Sequence, residues 1–247
     1  MNFLIKLIPK KIKRKFKDSR FNFHRVVLRQ LVLRILHKSS YSHSKEDEIL
    51  QTLLTSPTGF YIDVGSGRPI SGSNTFVFYR KGWRGICIDP ISLNIRLFNL
   101  FRPKDKILQA LVGLASKPVD FWEFDPYEYS TANKAVAERV MENADFRLLK
   151  TSKLITVSLS SLISLVPRNV STLLSIDVEG HEMEVLESND WELFRPTVIC
   201  VEEWQSTFDS LSESEIQLYL SIRGYKKVAY IGVSSIYLNQ NSNFKTS

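Results

Sequence analysis

Cysteine is scarce in this chain, and a long apolar run is missing. Two cysteines occur among 247 residues, Cys87 and Cys200. Each lies inside a short apolar stretch with the character of a strand, residues 86–88 and 199–201. That setting is typical of buried thiols in a reducing compartment, and it argues against a disulfide or a metal-binding cysteine pair. We therefore expect a cytoplasmic protein, and no apolar run approaches the length of a membrane-spanning helix.

Acidic residues are almost absent from residues 1–38, which contain twelve Lys or Arg and one acid, Asp18. The remaining chain has 21 bases and 25 acids, so the formal net charge of +7 is due to this N-terminal arm. Apolar residues 2–8 precede the cationic residues 10–17, and this order is unlike that of a secretory signal peptide. Such an arm suits an anionic membrane surface, which would make the protein peripheral at the inner face of the membrane.

A second interpretation of the arm remains open. Phe23, Val27, Leu31 and Ile35 recur at helical spacing, so the apolar stripe of this helix could instead pack on the rest of the protein. No basic patch interleaved with aromatic residues extends into the body of the chain, and we expect no nucleic-acid partner. The polar residues 39–44 have the composition of a linker. The predicted domains are therefore an arm and linker, 1–44, and a body, 45–247.

Strand and helix patterns alternate through the body, which predicts an α/β fold with a doubly wound, mostly parallel sheet. The last two strands are predicted to form an antiparallel hairpin. This Rossmann-like arrangement resembles the sheet of S-adenosylmethionine-dependent methyltransferases more than that of a dinucleotide dehydrogenase. The main strands are predicted at residues 60–64, 84–88, 107–112, 173–177, 197–202, 226–231 and 234–238, and added strands at 119–124 and 154–157.

A glycine turn follows the first of these strands. Residues 60–67 read Phe-Tyr-Ile-Asp-Val-Gly-Ser-Gly, and glycine there lets the backbone turn sharply and approach a ligand. Asp63 would repel the pyrophosphate of NAD but attract the sulfonium and ammonium groups of S-adenosylmethionine. The third glycine of the dinucleotide fingerprint would fall at Ile70. Both features disfavour NAD.

Acidic residues also follow two later strands. Asp89, after the second strand, is placed to accept the ribose hydroxyls of an adenosine ligand, or else to cap the helix after Pro90. Asp177, Glu179 and His181 follow the fourth strand, where they could accept a hydroxyl proton or bind a divalent cation. Further acids nearby, Glu182, Glu184, Glu202 and Glu203, either join this site or merely favour a helix N-terminus and a solvated strand end.

Taken together, these segments resemble the FkbM family of methyltransferases. The resemblance is carried by residues 61–67, 71–76, 81–90, 174–182 and 195–202. It implies a Rossmann-like methyltransferase fold, S-adenosylmethionine as the methyl donor, a hydroxyl oxygen as the target, and Asp177, Glu179 and His181 facing the acceptor. The implied cofactor-binding residues are Asp63, Gly65, Ser66, Gly67, Asn74 and Asp89. The chain departs from the usual pattern at Ser66-Gly67 and at Asp89, where the family more often has Ala-Asn and Glu.

The expected function is thus O-methylation of a sugar or glycan hydroxyl in polysaccharide biosynthesis, with a lipid-linked glycan as acceptor. Two alternatives remain. An NAD-dependent sugar oxidoreductase would need a glycine turn compatible with phosphate, which Asp63 and Ile70 oppose. A non-catalytic scaffold derived from the same fold would be expected to lose the acids that follow the fourth strand, yet Asp177 and Glu179 are present.

Overall fold

A computed structural model describes residues 19–36, 39–114, 118–203 and 214–241. The chain divides into two compact units, residues 1–38 and residues 39–247. The described part of the first unit is one helix, α1, Ser19–Ile35, which confirms the helix predicted from the apolar spacing. The segments 2–8 and 10–17, on which the membrane prediction depends, lie outside the described residues. None of the described helices is both long and apolar enough to cross a membrane.

The described part of the second unit contains ten strands and six helices. The strands are β1 Gly59–Val64, β2 Arg84–Ile88, β3 Lys106–Leu108, β4 Leu111–Val112, β5 Pro118–Asp125, β6 Arg147–Val157, β7 Ser171–Ile176, β8 Val198–Glu202, β9 Tyr225–Ile231 and β10 Ser234–Asn239. The helices are α2 Glu46–Leu53, α3 Phe76–Arg80, α4 Ser92–Phe101, α5 Lys134–Glu142, α6 Glu182–Glu187 and α7 Glu215–Ser221. Two 3₁₀ turns, Tyr127–Tyr129 and Leu159–Leu165, complete the set.

Seven strands form the central sheet in the order β3-β2-β1-β7-β8-β10-β9. The first five run parallel, and β10 is antiparallel to both β8 and β9. This confirms the predicted mostly parallel sheet with an antiparallel C-terminal hairpin strand. The strands β7 and β8 are buried at every residue, as expected for strands covered by helices on both faces. Their apolar side chains, such as Leu174, Ile176 and Ile199, form the main core with Ile62 and Val64 of β1.

A second sheet of three strands has the order β4-β6-β5. Its strands come between β3 and β7 in the chain and include the added strands. The predicted strand at 119–124 is confirmed as β5. The predicted strand at 154–157 is only the end of β6, which has eleven residues. The first part of β6 is largely exposed, so its sequence lacks the alternation of apolar and polar residues that would predict a strand. Its register is set instead by antiparallel pairing with β5.

Residues 39–44, predicted to be a linker, pack within the second unit. The Tyr41 side chain is 5% exposed and meets the Phe76 ring edge-on, at 4.8 Å between ring centroids. The Tyr41 backbone N–H donates to Asp47 Oδ2 at 2.8 Å, and its carbonyl accepts from the Gly72 N–H at 2.7 Å. The N-cap position of α2 is held by Lys45, whose side chain makes no capping hydrogen bond. Buried contacts therefore fix this segment.

A buried polar network lies between β1 and α4. Arg102 is fully buried, and its Nε donates to Asp105 Oδ2 at 2.7 Å. Tyr61 Oη donates to both carboxylate oxygens of Asp105 at 2.8 Å. The Arg102 Nη1 group donates to Thr75 Oγ1 at 3.0 Å, and Thr75 in turn donates to Asp63. The network joins the residue before α3 to the middle of the sheet. The two cysteines are buried free thiols, as predicted.

Candidate functional site

A cavity of about 560 Å³ opens at the carboxyl ends of β1, β2, β7 and β8. The strand order reverses between β1 and β7, and ligands of open α/β sheets bind at such a reversal. Eight of the nine site residues predicted from the sequence line this cavity. They are Gly65, Ser66, Gly67, Asn74, Asp89, Asp177, Glu179 and His181.

The glycine turn after β1 is held against both neighbouring strands. The N–H groups of Gly65 and Ser66 donate to the Ile88 carbonyl at 2.9 and 3.1 Å. Gly65 has a φ of +72°, and a Cβ there would lie 1.7 Å from the Asp177 carbonyl oxygen. Gly67 also has a positive φ, +56°, but its nearest neighbour would be Tyr127 Oη at 3.6 Å. Gly65 is therefore required by contact between two loops, whereas Gly67 leaves space on the cavity side.

Asp63, the ninth predicted residue, does not line the cavity. Its Oδ2 accepts a hydrogen bond from Thr75 Oγ1 at 2.5 Å, so the carboxyl group faces the buried network. Burial raises the pKa of Asp63, while the nearby Arg102 guanidinium and the bond from Thr75 oppose that shift. The structure therefore places Asp63 where it positions the start of α3.

Asp89 lines the cavity and also holds the surrounding backbone. Its Oδ1 accepts from the Ile91 N–H at 2.7 Å. Its Oδ2 accepts from the Gly67 N–H at 2.9 Å and from Asn94 Nδ2 at 3.0 Å. Burial raises the pKa of Asp89 to about 6, and these three bonds counter the shift. A carboxylate has about four acceptor positions, so roughly one, on Oδ1, remains for a ligand.

One end of the cavity is apolar. Ile91, Leu111 and Phe121 form a buried cluster, and Tyr127 packs against it. All four line the cavity next to Asp89. The Arg68 guanidinium stacks over the Tyr127 ring at 4.0 Å from its centroid. This end can hold a flat, largely apolar ring.

The other end of the cavity is acidic. Asp177, Glu179 and Glu202 each bring a carboxylate oxygen within 4.8 Å of the other two. The Asp177 and Glu202 carboxyl groups also hydrogen-bond each other. The Asp177 side chain is exposed on its cavity side, although protein atoms surround the residue. The Glu202 side chain is only 7% exposed. Burial, followed by repulsion from surrounding carboxylates, raises the pKa of all three groups.

Two residues at the end of the loop after β7, His181 and Glu182, make different contacts. Glu182 Oε1 accepts from the N–H groups of Val178 and Gly180 at 3.2 and 3.1 Å, which supports the turn where Glu179 has a φ of +56°. His181 lines the cavity, and its Nδ1 is 3.6 Å from Glu184 Oε1. A Cβ at Gly113 would lie 3.2 Å from His181 Nε2, so glycine there makes room for the imidazole.

The two acids at the end of β8 differ in role. Glu202 lines the cavity, whereas Glu203 accepts a hydrogen bond from Tyr237 Oη at 2.9 Å and pairs with Lys227 at 3.3 Å. The sequence left open whether these two acids join the site. In the structure Glu202 joins it and Glu203 does not.

Several residues that line the cavity were not predicted from the sequence. Arg68, Tyr127 and Glu128 line the cavity, as do His43 and Glu46. His43 and Glu46 come from the segment predicted as linker and from the start of α2. Tyr127 and Glu128 lie between β5 and α5, where the sequence has no motif. The Asp-Pro-Tyr run before that turn was the one local signal available.

The sequence was also compared with known families. Residues 63–227, about two thirds of the chain, match the family model described as the methyltransferase FkbM domain. The chain belongs to the FkbM methyltransferase family. The matched residues include the lining residues from the turn after β1 to Glu202. FkbM membership makes methyl transfer the activity of this protein.

Among solved structures, the FkbM chain is similar to a methyltransferase from Geobacter sulfurreducens, crystallised at 1.90 Å resolution. The two share 12% sequence identity with a TM-score of 0.41, over 98% of this chain and 94% of the other. No curated protein matches the chain.

Proposed function

We propose that this FkbM protein transfers a methyl group from S-adenosylmethionine to a hydroxyl oxygen of a sugar or glycan. The observation that carries the proposal is a cavity at the strand-order reversal that is apolar at one end and acidic at the other. Family membership supplies the methyl transfer, and the shape and charge of this cavity support the choice of donor.

The residues of the cavity fit the parts of this donor. The apolar end formed by Ile91, Leu111 and Phe121 suits an adenine ring. Asp89 Oδ1 retains an acceptor position for one ribose hydroxyl, rather than for the two that the sequence suggested. The turn at Gly67 leaves room for the methionine part, and the acidic lining of the cavity as a whole attracts the sulfonium and ammonium charges.

The donor supplies an electrophilic methyl group on a positively charged sulfur. The new bond joins that carbon to the acceptor oxygen while the carbon–sulfur bond breaks, and its electron pair stays on the sulfur. The protein must therefore hold the hydroxyl in line and remove its proton. Glu179 and His181 both line the cavity, where either could accept this proton.

The acidity of the cavity disfavours the alternative of an NAD-dependent oxidoreductase. Among the described residues, six carboxyl groups line it, against one guanidinium, Arg68, and two imidazoles. A pyrophosphate placed there would be repelled by most of these groups. The six acids are Glu46, Asp89, Glu128, Asp177, Glu179 and Glu202.

Calorimetric titration tests the donor. We expect S-adenosylmethionine and its demethylated product to bind to the same site, and NAD to show no binding. Binding of NAD without binding of S-adenosylmethionine would overturn the proposal. Transfer of labelled methyl to a panel of free sugars and lipid-linked glycans then tests the acceptor. Labelling of a peptide or small aromatic acceptor, but of no sugar, would contradict that part.

The basic N-terminal arm supports the proposal of a lipid-linked acceptor. Residues 1–38 carry a net charge of +11, and a basic arm of this kind would bring the enzyme to an anionic membrane surface where lipid-linked glycans reside.

A further inference from the structure

The three carboxyl groups at the acidic end come from two strand ends. Asp177 and Glu179 follow β7, and Glu202 ends β8. One oxygen from each lies within 4.8 Å of the other two. Oxygens on opposite sides of a Mg²⁺ or a Ca²⁺ ion stand about 4.2–5.0 Å apart, given metal–oxygen distances of about 2.1–2.5 Å. A separation of no more than 4.8 Å is therefore compatible with three ligands around one cation.

A separate observation concerns the buried atom Glu202 Oε2. The Glu202 side chain is 7% exposed, and among the described residues no hydrogen-bond donor reaches this oxygen. A buried carboxylate oxygen without a donor is costly, because nothing replaces the water that it lost. The ion pairs found among the described residues include none with Asp177, Glu179 or Glu202. The part of the chain that the structure describes thus leaves this buried oxygen without a hydrogen-bond donor, in a residue that lines the cavity.

We propose that Asp177, Glu179 and Glu202 bind one divalent cation of the magnesium and manganese class. Carboxylate oxygens are the ligands these hard cations prefer, and Mg²⁺ usually keeps several waters beside one or two carboxylates. A cation with this ligand set would retain positions open to the cavity, since Asp177 is exposed on that side.

The role of the cation in catalysis rests on the proposed function, although its binding does not. An acceptor with two adjacent hydroxyls would replace two of the waters, and the cation would lower the pKa of a hydroxyl that it holds. Glu179 then acts as a ligand of the cation rather than as the group that accepts the proton. The proposed acceptor class is therefore a sugar that carries neighbouring hydroxyls.

Titration of the full chain with Mn²⁺, without methyl donor, tests the site, with unbound Mn²⁺ followed by electron paramagnetic resonance. We expect one Mn²⁺ per chain, displaced by excess Mg²⁺. Glu202→Gln and Glu179→Gln should each weaken Mn²⁺ binding at least tenfold. The matched control is Glu187→Gln, which removes one exposed charge at the end of α6 and should bind as the unaltered chain does.

The outcome is decided in each variant by two readouts. Mn²⁺ should raise the thermal midpoint of the unaltered chain and of Glu187→Gln, but not that of Glu202→Gln. If Glu202→Gln does not fold, Glu179→Gln carries the test, because Glu179 lies in a loop and is only half-buried. Absence of Mn²⁺ binding in the unaltered chain, or unchanged affinity in both cavity variants, would overturn the cation site.

Donor titration in EDTA separates this proposal from the proposed function. Binding of S-adenosylmethionine without any binding of Mn²⁺ would leave the methyl donor in place and remove the cation. Binding of Mn²⁺ without binding of S-adenosylmethionine would support the cation site and contradict the proposed methyl donor. Release of Mn²⁺ when S-adenosylmethionine is added would show that the donor's ammonium occupies the carboxylates, and would overturn the cation's part in transfer.

Discussion

Asp89 combines two tasks that the sequence presented as alternatives. It supports the backbone at Gly67 and Ile91, and it still lines the cavity. Replacement by Ala should therefore weaken binding of S-adenosylmethionine by about 1.5–3 kcal/mol, the usual value of one hydrogen bond to a charged group. Calorimetry measures the change, and thermal unfolding of the same variant shows how far loss of backbone support contributes. An unchanged dissociation constant would mean that Asp89 only supports the loop.

The raised pKa of Asp89 gives this residue two opposite pH effects. Its pKa is about 6 in the folded chain, against an ordinary value of 3.8. The folded state thus holds the proton more tightly, so the stabilising contribution of Asp89 is complete below pH about 4 and is lost as the pH rises through about 6. Donor affinity should move the other way, falling below pH 6 as the acceptor loses its charge. The Asp89→Ala variant should lack the Asp89 part of both effects.

The proton acceptor can be identified from two further variants. Glu179→Gln and His181→Ala should each reduce methyl transfer about 100-fold while changing donor affinity little, since general bases contribute about 10²–10⁴. With a confirmed acceptor, raised Mn²⁺ should partly restore Glu179→Gln and should not restore His181→Ala. Full activity in both variants would exclude a catalytic role for the loop after β7.

At the scale of elements, the turn after β1 offers a matched pair of glycines. Both Gly65 and Gly67 have positive φ, so alanine at either position costs about 1–2 kcal/mol in the backbone alone. Gly65→Ala must also push the loop after β7 aside, because its Cβ would overlap the Asp177 carbonyl. Urea unfolding should show a clearly larger loss of stability for Gly65→Ala than for Gly67→Ala. Similar losses would show that the two loops do not depend on this contact.

The elements also show what the sequence could predict. The parallel strands were predictable, because β7 and β8 are buried on both faces and read as continuous apolar runs. Acids that follow those strands were placed in the cavity by topology alone. The direction of the Asp63 carboxyl could not be predicted, because it depends on a hydrogen bond from Thr75 and on the charge of Arg102, which are both distant in sequence. The linker composition of residues 39–44 likewise gave no sign of the partners of Tyr41, since those contacts are tertiary.

On the scale of the whole molecule, charge is divided between the arm and the rest of the chain. Residues 1–38 carry +11 and the remaining residues −4. The full chain should therefore bind anionic vesicles, while a shortened chain beginning at Ser39, which keeps Tyr41, should not. Each basic residue near such a surface contributes about 1 kcal/mol, so binding should fall steeply as salt rises.

Co-sedimentation of both chains at two salt concentrations measures this difference. Neutral vesicles serve as the control, because they lack the surface charge that attracts the arm. Equal sedimentation of the two chains would place the membrane contact outside residues 1–38. If neither chain sediments, the interpretation in which the apolar side chains of α1 pack on the protein gains support.

The buried network around Arg102 has a consequence for how this sequence can change over evolution. Arg102 compensates two buried carboxyl groups, Asp105 directly and Asp63 across Thr75. Loss of the guanidinium alone would strand both acids, at a cost of about 3–5 kcal/mol, whereas joint replacement by well-packed apolar residues is often close to neutral. Single substitutions in this network are therefore expected to be strongly destabilising. We expect Asp63, Arg102 and Asp105 to be conserved together or replaced together.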